Sequence, residues 1–135
     1  MNIDEVTDIK STPFTLIGGK PAVEALVKRF YDLMDEDPDY YDIRKLHPES
    51  LENSRAKFYM FLMGWLGGPD IYVEAFGHPR LKMRHLPFVI GISERDQWLG
   101  CMHRALVDCG VEDSLRQRLE NSFANTADWM RNKDD

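Results

Sequence analysis

GHPRLKMRHLPF, residues 77–88, is the stretch on which the reading of this chain turns. Pro79 and Pro87 bracket it, so no long helix runs through it. Between the prolines stand Arg80, Lys82 and Arg84, then His85, followed at once by Leu-Pro-Phe. A basic segment is unexpected in a chain of 135 residues whose formal net charge is −6. A histidine at the end of such a segment is either an ordinary surface or core side chain or a group presented to a ligand. The flanking sequence weighs one against the other.

On both sides the apolar residues recur with helical spacing, and no run alternates as a strand does. Upstream, a helix is predicted after Gly18-Gly19, with Pro21 in its first turn. Val23, Leu26, Val27, Phe30, Tyr31 and Met34 follow one face, and Asp37-Pro38 closes it. Residues 39–48 are turn-rich, with room for one helical turn around Tyr40 to Lys45. A second long helix is expected from Ser50 as N-cap, burying Leu51, Phe58, Phe61, Leu62 and Trp65 until Gly67-Gly68-Pro69 stops it. A short helical piece follows around Asp70 to Phe76. Downstream, Ser93 is the expected cap of a third helix, with Glu94 and Asp96 at its positive end. Its stripe is Trp98, Met102, Ala105, Leu106 and Cys109, and Gly110 ends it. A fourth helix from Glu112 to Arg131 turns Leu115, Leu119, Phe123, Ala127 and Met130 inward. Phe88-Val89-Ile90 is strand-like but has no partner run. The fold class is all-α, with four main helices and a proline-bounded insert.

Composition sets the bounds. A hydrophobic content of 43% excludes a disordered chain. The length suits one domain that buries roughly two thirds of its unfolded surface, enough for one core and one small-molecule pocket. The acidic balance argues against nucleic acid or an anionic membrane as partner. The N-terminal MNIDEVTDIK is acidic, so it is not read as a signal peptide, and no apolar run reaches membrane-spanning length. A cytoplasmic location is expected. Cys101 and Cys109 lie about 12 Å apart along one helix, beyond the roughly 7 Å limit for a disulfide. Both are expected to be buried free thiols.

Less ordinary is the polar content carried on apolar faces. Tyr31 lies on the first stripe, Trp98 begins the third, and His47 precedes the second long helix. A buried phenol and indole each need a hydrogen-bond partner. The three either form a satisfied core network or surround a small polar ligand. The second reading connects to His85, because a histidine facing apolar helices holds haem iron from one side. The cations Arg80, Lys82 and Arg84 would then neutralise the two haem propionates. His78 is expected to order its loop and His103 to be exposed.

Taken in order, several blocks resemble one family. They are Gly18-Gly19, Arg29-Phe30-Tyr31, Trp65-Leu66-Gly67-Gly68-Pro69, Gly77-His78-Pro79-Arg80-Leu81, Met83-Arg84-His85-Leu86-Pro87-Phe88, Glu94-Arg95-Asp96, Trp98 and Cys101-Met102. The chain resembles the truncated haemoglobins, within them the group II branch. The resemblance covers most of the chain from Leu16 onward, which makes residues 1–15 an N-terminal extension and residues 16–135 the globin domain.

The resemblance implies a truncated globin fold, a two-over-two helical sandwich around one haem b (iron protoporphyrin IX). It makes His85 the iron ligand, Tyr31 the distal tyrosine and Trp98 the tryptophan that donates into the pocket. It places Phe58 and Phe61 against the porphyrin, and Lys57, Tyr72 and Arg84 toward the propionates. His47 falls where many relatives carry Tyr or Phe, and adds a titratable group beside the ligand. Ser54 stands where ordinary globins place histidine.

The implied ligands are dioxygen, nitric oxide, carbon monoxide or peroxide, at a five-coordinate or switchable six-coordinate iron. Donors around bound oxygen slow its release, which suits nitric oxide or peroxide detoxification fed by an unidentified reductase. An oxygen carrier or gas sensor without turnover, or a haem-free helical binding module, is the alternative. A monomer or weak homodimer is expected.

Overall fold

In the computed structural model, residues 12–134 are described. The expected extension falls largely outside them, as does the acidic N-terminal stretch. The described residues hold helices and turns and no strand. In chain order the α-helices are α1 (Pro13–Ile17), α2 (Gly19–Glu36), α3 (Tyr41–Arg44), α4 (Glu52–Trp65), α5 (Ile71–Phe76), α6 (Leu81–His85), α7 (Ile92–Asp108) and α8 (Asp113–Trp129). A 3₁₀ turn, Pro38–Tyr40, joins α2 to α3.

Two helix pairs make the core. α2 packs on α4, α7 packs on α8, and α2 crosses α7 between them. This is the two-over-two sandwich. Because α2 touches both α4 and α7, it buries more than one stripe: Val23, Leu26, Val27, Phe30, Tyr31, Leu33 and Met34. Burying each large apolar side chain contributes about 1.5–3 kcal/mol, so this helix anchors the fold. α7 answers with Cys101, Met102, Ala105 and Leu106, and α8 with Leu115, Leu119 and Phe123. Among the described residues no helix is long and apolar enough to cross a membrane.

Four expectations change. First, α1 was not foreseen. It is capped by Thr12, whose Oγ1 accepts from the Thr15 N–H at 3.3 Å, and starts at Pro13. The Phe14 N–H donates to the Leu66 carbonyl at 2.8 Å, so α1 straddles the boundary expected after residue 15. Gly68 is required there, because a Cβ on it would lie 2.6 Å from the Phe14 ring and 2.9 Å from the Met63 carbonyl.

Second, α4 starts at Glu52, near Ser50 as expected, but its N-cap is one residue later than foreseen. Leu51, buried in the core and without a polar side-chain atom, takes the N-cap position, while the Ser50 hydroxyl accepts from the Glu52 N–H at 3.3 Å from one residue further back. Third, α7 starts at Ile92 with Gly91 as N-cap. Glu94 Oε1 accepts from the Gly91 N–H at 2.7 Å, and the Ser93 hydroxyl instead faces Asp42. Fourth, Cys109 is exposed, because it sits where α7 unwinds at its C-terminus. Cys101 is buried, and its thiol donates to the Phe30 carbonyl at 3.2 Å.

Candidate functional site

The site is built on α2, α3, α4 and α7, with His85 on α6. Phe30 is its hub. Its ring centroid lies 5.1 Å from Tyr31, 5.5 Å from Phe58 and 5.2 Å from Trp98. Tyr31 in turn meets Phe58 and His47 edge-on, each at 6.0 Å. Trp98 closes the ring against Phe123 at 5.4 Å. Edge-to-face contacts of this kind hold aromatic rings in fixed orientations.

The polar groups within this cluster have definite partners. The Tyr31 hydroxyl donates to the Ser54 carbonyl at 3.3 Å, one turn before Phe58 on α4. Burial raises its pKa well above that of a free phenol, against a smaller opposing effect of Arg55, so it stays protonated. His47 Nδ1 lies 2.8 Å from the Ile43 carbonyl. A carbonyl only accepts, so Nδ1 carries the proton and neutral His47 keeps a lone pair on Nε2. Burial is the main cause that lowers the His47 pKa; the Ile43 bond opposes it, and the charges of Arg44 and His85 add to it. Trp98 is half-buried. Among the described residues its indole N–H has no hydrogen-bond acceptor.

His85 is the last residue of α6, a helix that buries no residue. Gly77 at φ +79° turns the chain out of α5. Arg80 then starts α6 in the left-handed region at φ +49°, and its N–H donates to His78 Nδ1 at 3.1 Å. His78 therefore orders the loop. His85 Nδ1 lies 2.6 Å from the Leu81 carbonyl. By the same logic as at His47, its proton sits on Nδ1 and Nε2 presents a lone pair. Metal-ligating histidines are oriented in this way.

The rim is a second cluster. Tyr72 is buried, with its ring 6.2 Å from Phe61 and 5.0 Å from Phe76. Lys57 Nζ lies over the Phe76 ring at 5.6 Å. Arg84 stands apart on α6 and is exposed. Among the described residues neither Lys57 nor Arg84 has a carboxylate partner, whereas most arginines elsewhere in the chain do. His103 is exposed and pairs with Glu120.

Around His85 the chain leaves apolar surface open. Val73, Phe76, Met83, Leu86, Phe88, Val89 and Ile92 are seven of the eleven exposed large hydrophobic residues among those described. Such a concentration marks a surface that something covers. Among the described residues no three His, Cys, Asp or Glu side chains converge on a metal site. One imidazole lone pair, unpartnered cations and open apolar surface suit a metal already held in an apolar disc bearing carboxylates. That description fits haem. Two surface clefts elsewhere, one lined by Val27, Arg55 and Tyr59 and one by Leu99, His103 and Phe123, do not include His85.

The sequence pattern singled out Tyr31, His47, Phe58 and Trp98, and the structure joins them in one cluster; Phe61 joins Tyr72 in the other. It did not single out Phe30 as the hub, Phe76 under Lys57, or the Ser54 carbonyl as the partner of Tyr31. The helical period carried a signal for Phe30 alone.

The profile of the bacterial-like globin family matches residues 12–132. Group 2 truncated haemoglobin YjbI of Bacillus subtilis is 35% identical over 123 residues, covering 91% of this chain and 90% of the relative. The solved cold-adapted truncated haemoglobin of Pseudoalteromonas haloplanktis superposes with a TM-score of 0.88 at 41% identity, covering 91% of this chain and 99% of that one. The group II 2-on-2 haemoglobin of Agrobacterium tumefaciens gives 0.87 at 44% identity, covering 90% and 94%. An all-helical sandwich with these matches along nearly its whole described length belongs to the bacterial-like globins, as a group 2 truncated haemoglobin, a haem globin that binds oxygen.

Proposed function

We propose that His85 ligates the iron of one haem b, and that Tyr31, Trp98 and His47 form the ligand pocket of an oxygen-retaining protein that consumes nitric oxide or peroxide. The observation that carries this reading is the His85 imidazole, with Nδ1 committed to the Leu81 carbonyl at 2.6 Å, beside apolar surface left uncovered. When bound, haem supplies an iron site for dioxygen, nitric oxide, carbon monoxide or peroxide, together with its redox chemistry.

The chain's own residues do the rest. Phe58 and Phe61 present rings to the porphyrin. Lys57, Tyr72 and Arg84 meet the propionates, as two cations without a carboxylate partner and a hydroxyl suit. Tyr31 stays protonated and donates to the bound ligand. Trp98 adds an indole N–H that gives up no protein partner to do so. Hydrogen bonds to a ligand gathering negative charge are stronger than neutral ones, and a dry pocket strengthens them. His47 is neutral at pH 7, and its Nε2 accepts a hydrogen bond or enters the pocket as a nitrogen ligand. The pocket therefore retains oxygen, and a protein that retains oxygen is better suited to reacting with a second molecule than to delivery. The electrons for a catalytic cycle come from a separate reductase.

The test has two stages. Wild-type protein supplied with haem shows a Soret band, and His85→Ala loses the histidine-ligated form of it. The oxygenated wild type then consumes nitric oxide in stopped flow. No consumption of nitric oxide, and none of peroxide in a parallel assay, refutes turnover and leaves a carrier or sensor.

A further inference from the structure

α6 needs an external tether, because it buries none of its residues. The structure supplies one from the far end of the chain. Asn132 follows α8 and is itself exposed, so apolar burial does not explain its position. Its Nδ2 donates to the carbonyl of His85 at 3.3 Å and to that of Phe88 at 2.7 Å. Its Oδ1 accepts from the Ile90 N–H at 2.9 Å. Its own N–H donates to the Ile90 carbonyl at 2.9 Å. One side chain and one amide thus gather three backbone positions of the loop that follows His85. Within the loop itself Pro87 has no N–H to give, and the Phe88 N–H reaches back to the same His85 carbonyl at 3.0 Å. Lys82 adds a second tie, with Nζ 2.6 Å from the Trp129 carbonyl.

We infer that Asn132 is a positioning residue for His85, a clasp by which the end of the chain sets the angle and reach of the imidazole toward iron. The inference rests on the haem reading of His85. The Leu81 carbonyl fixes the rotation of the ring, and Asn132 fixes the backbone that carries it. Backbone carbonyls accept and backbone amides donate, so only a side chain offering both functions at this length satisfies all three positions. Asn132→Asp keeps the acceptor for Ile90 and turns an anionic oxygen on the His85 and Phe88 carbonyls. Asn132→Ala removes both functions.

The test uses the full-length haem-loaded protein. Resonance Raman of the ferrous form reads the iron–histidine stretch, and transfer to an excess of haem acceptor reads haem loss. Both variants should shift the stretch and lose haem roughly tenfold faster, with Asn132→Asp at least as affected as Asn132→Ala. An unchanged stretch in both variants overturns the inference, even where unfolding temperature falls, because a merely structural residue lowers stability without retuning the bond. A wild type that binds haem but shows no iron–histidine stretch instead overturns the reading of His85.

Discussion

Tyr31→Phe removes one oxygen atom and leaves the packing intact. The ring keeps its place against Phe30, at 5.1 Å. In the resting structure the hydroxyl donates to the Ser54 carbonyl at 3.3 Å. A neutral bond of this kind is worth about 0.5–1.5 kcal/mol, and one to a charged group about 1.5–3 kcal/mol. In the proposed role Tyr31 gives up the first to make the second, so its net hold on oxygen would be the difference, about 1–1.5 kcal/mol. That corresponds to roughly tenfold faster oxygen release in Tyr31→Phe. Trp98 has no bond to give up. Trp98→Phe therefore loses the full value and should release oxygen roughly 10- to 100-fold faster, the larger effect of the two. Stopped-flow displacement of oxygen by carbon monoxide reads both rates. Unchanged rates in both variants refute the donor argument, and a larger effect at Tyr31 than at Trp98 refutes the exchange with Ser54.

Other outcomes follow from particular residues. Phe30 is 1% exposed and touches three other rings of the site, so Phe30→Ala should cost about 3–5 kcal/mol in denaturant unfolding. Native protein should present one reactive thiol to a disulfide reagent and denatured protein two, because Cys109 is exposed while burial pushes the Cys101 thiol up to about 12. Burial holds folded His47 below its ordinary pKa of 6.5. The unfolded chain thus takes up the proton first as pH falls through 6.5, and stability declines from there downward. His47→Gln should lessen that decline, read as the difference in unfolding temperature between about pH 7.5 and 5.5.

The sequence and the structure agree where burial follows a regular period. The stripe from Val23 to Met34 is legible because every third or fourth residue faces the same neighbour, and Tyr31 was legible as a polar group on that stripe. His85 stood out by its prolines and cations, and it ends α6 with Nδ1 on the Leu81 carbonyl. Helix starts were less legible. Ser50 does accept from the Glu52 N–H, but buried Leu51 stands between it and the helix as N-cap, and at the other start the Glu94 carboxylate takes the cap bond that Ser93 was expected to make. Cys109 fits the α7 period but lies one residue beyond its end, where the period stops predicting direction. The Tyr31–Ser54 and Asn132–His85 bonds were out of reach, because each joins residues distant in sequence through a backbone carbonyl that any amino acid supplies.

The run of open apolar side chains from Val73 to Ile92 bears on the protein's life in the cell. Until porphyrin arrives, the segment around His85 is held to the rest by the polar ties of Asn132 and Lys82 and not by burial of its apolar side chains, and proteases cut where backbone opens. Limited digestion of the haem-free chain should begin between residues 77 and 91 and cease on loading. The amount of intact globin would then follow porphyrin supply, with surplus polypeptide cleared before it accumulates.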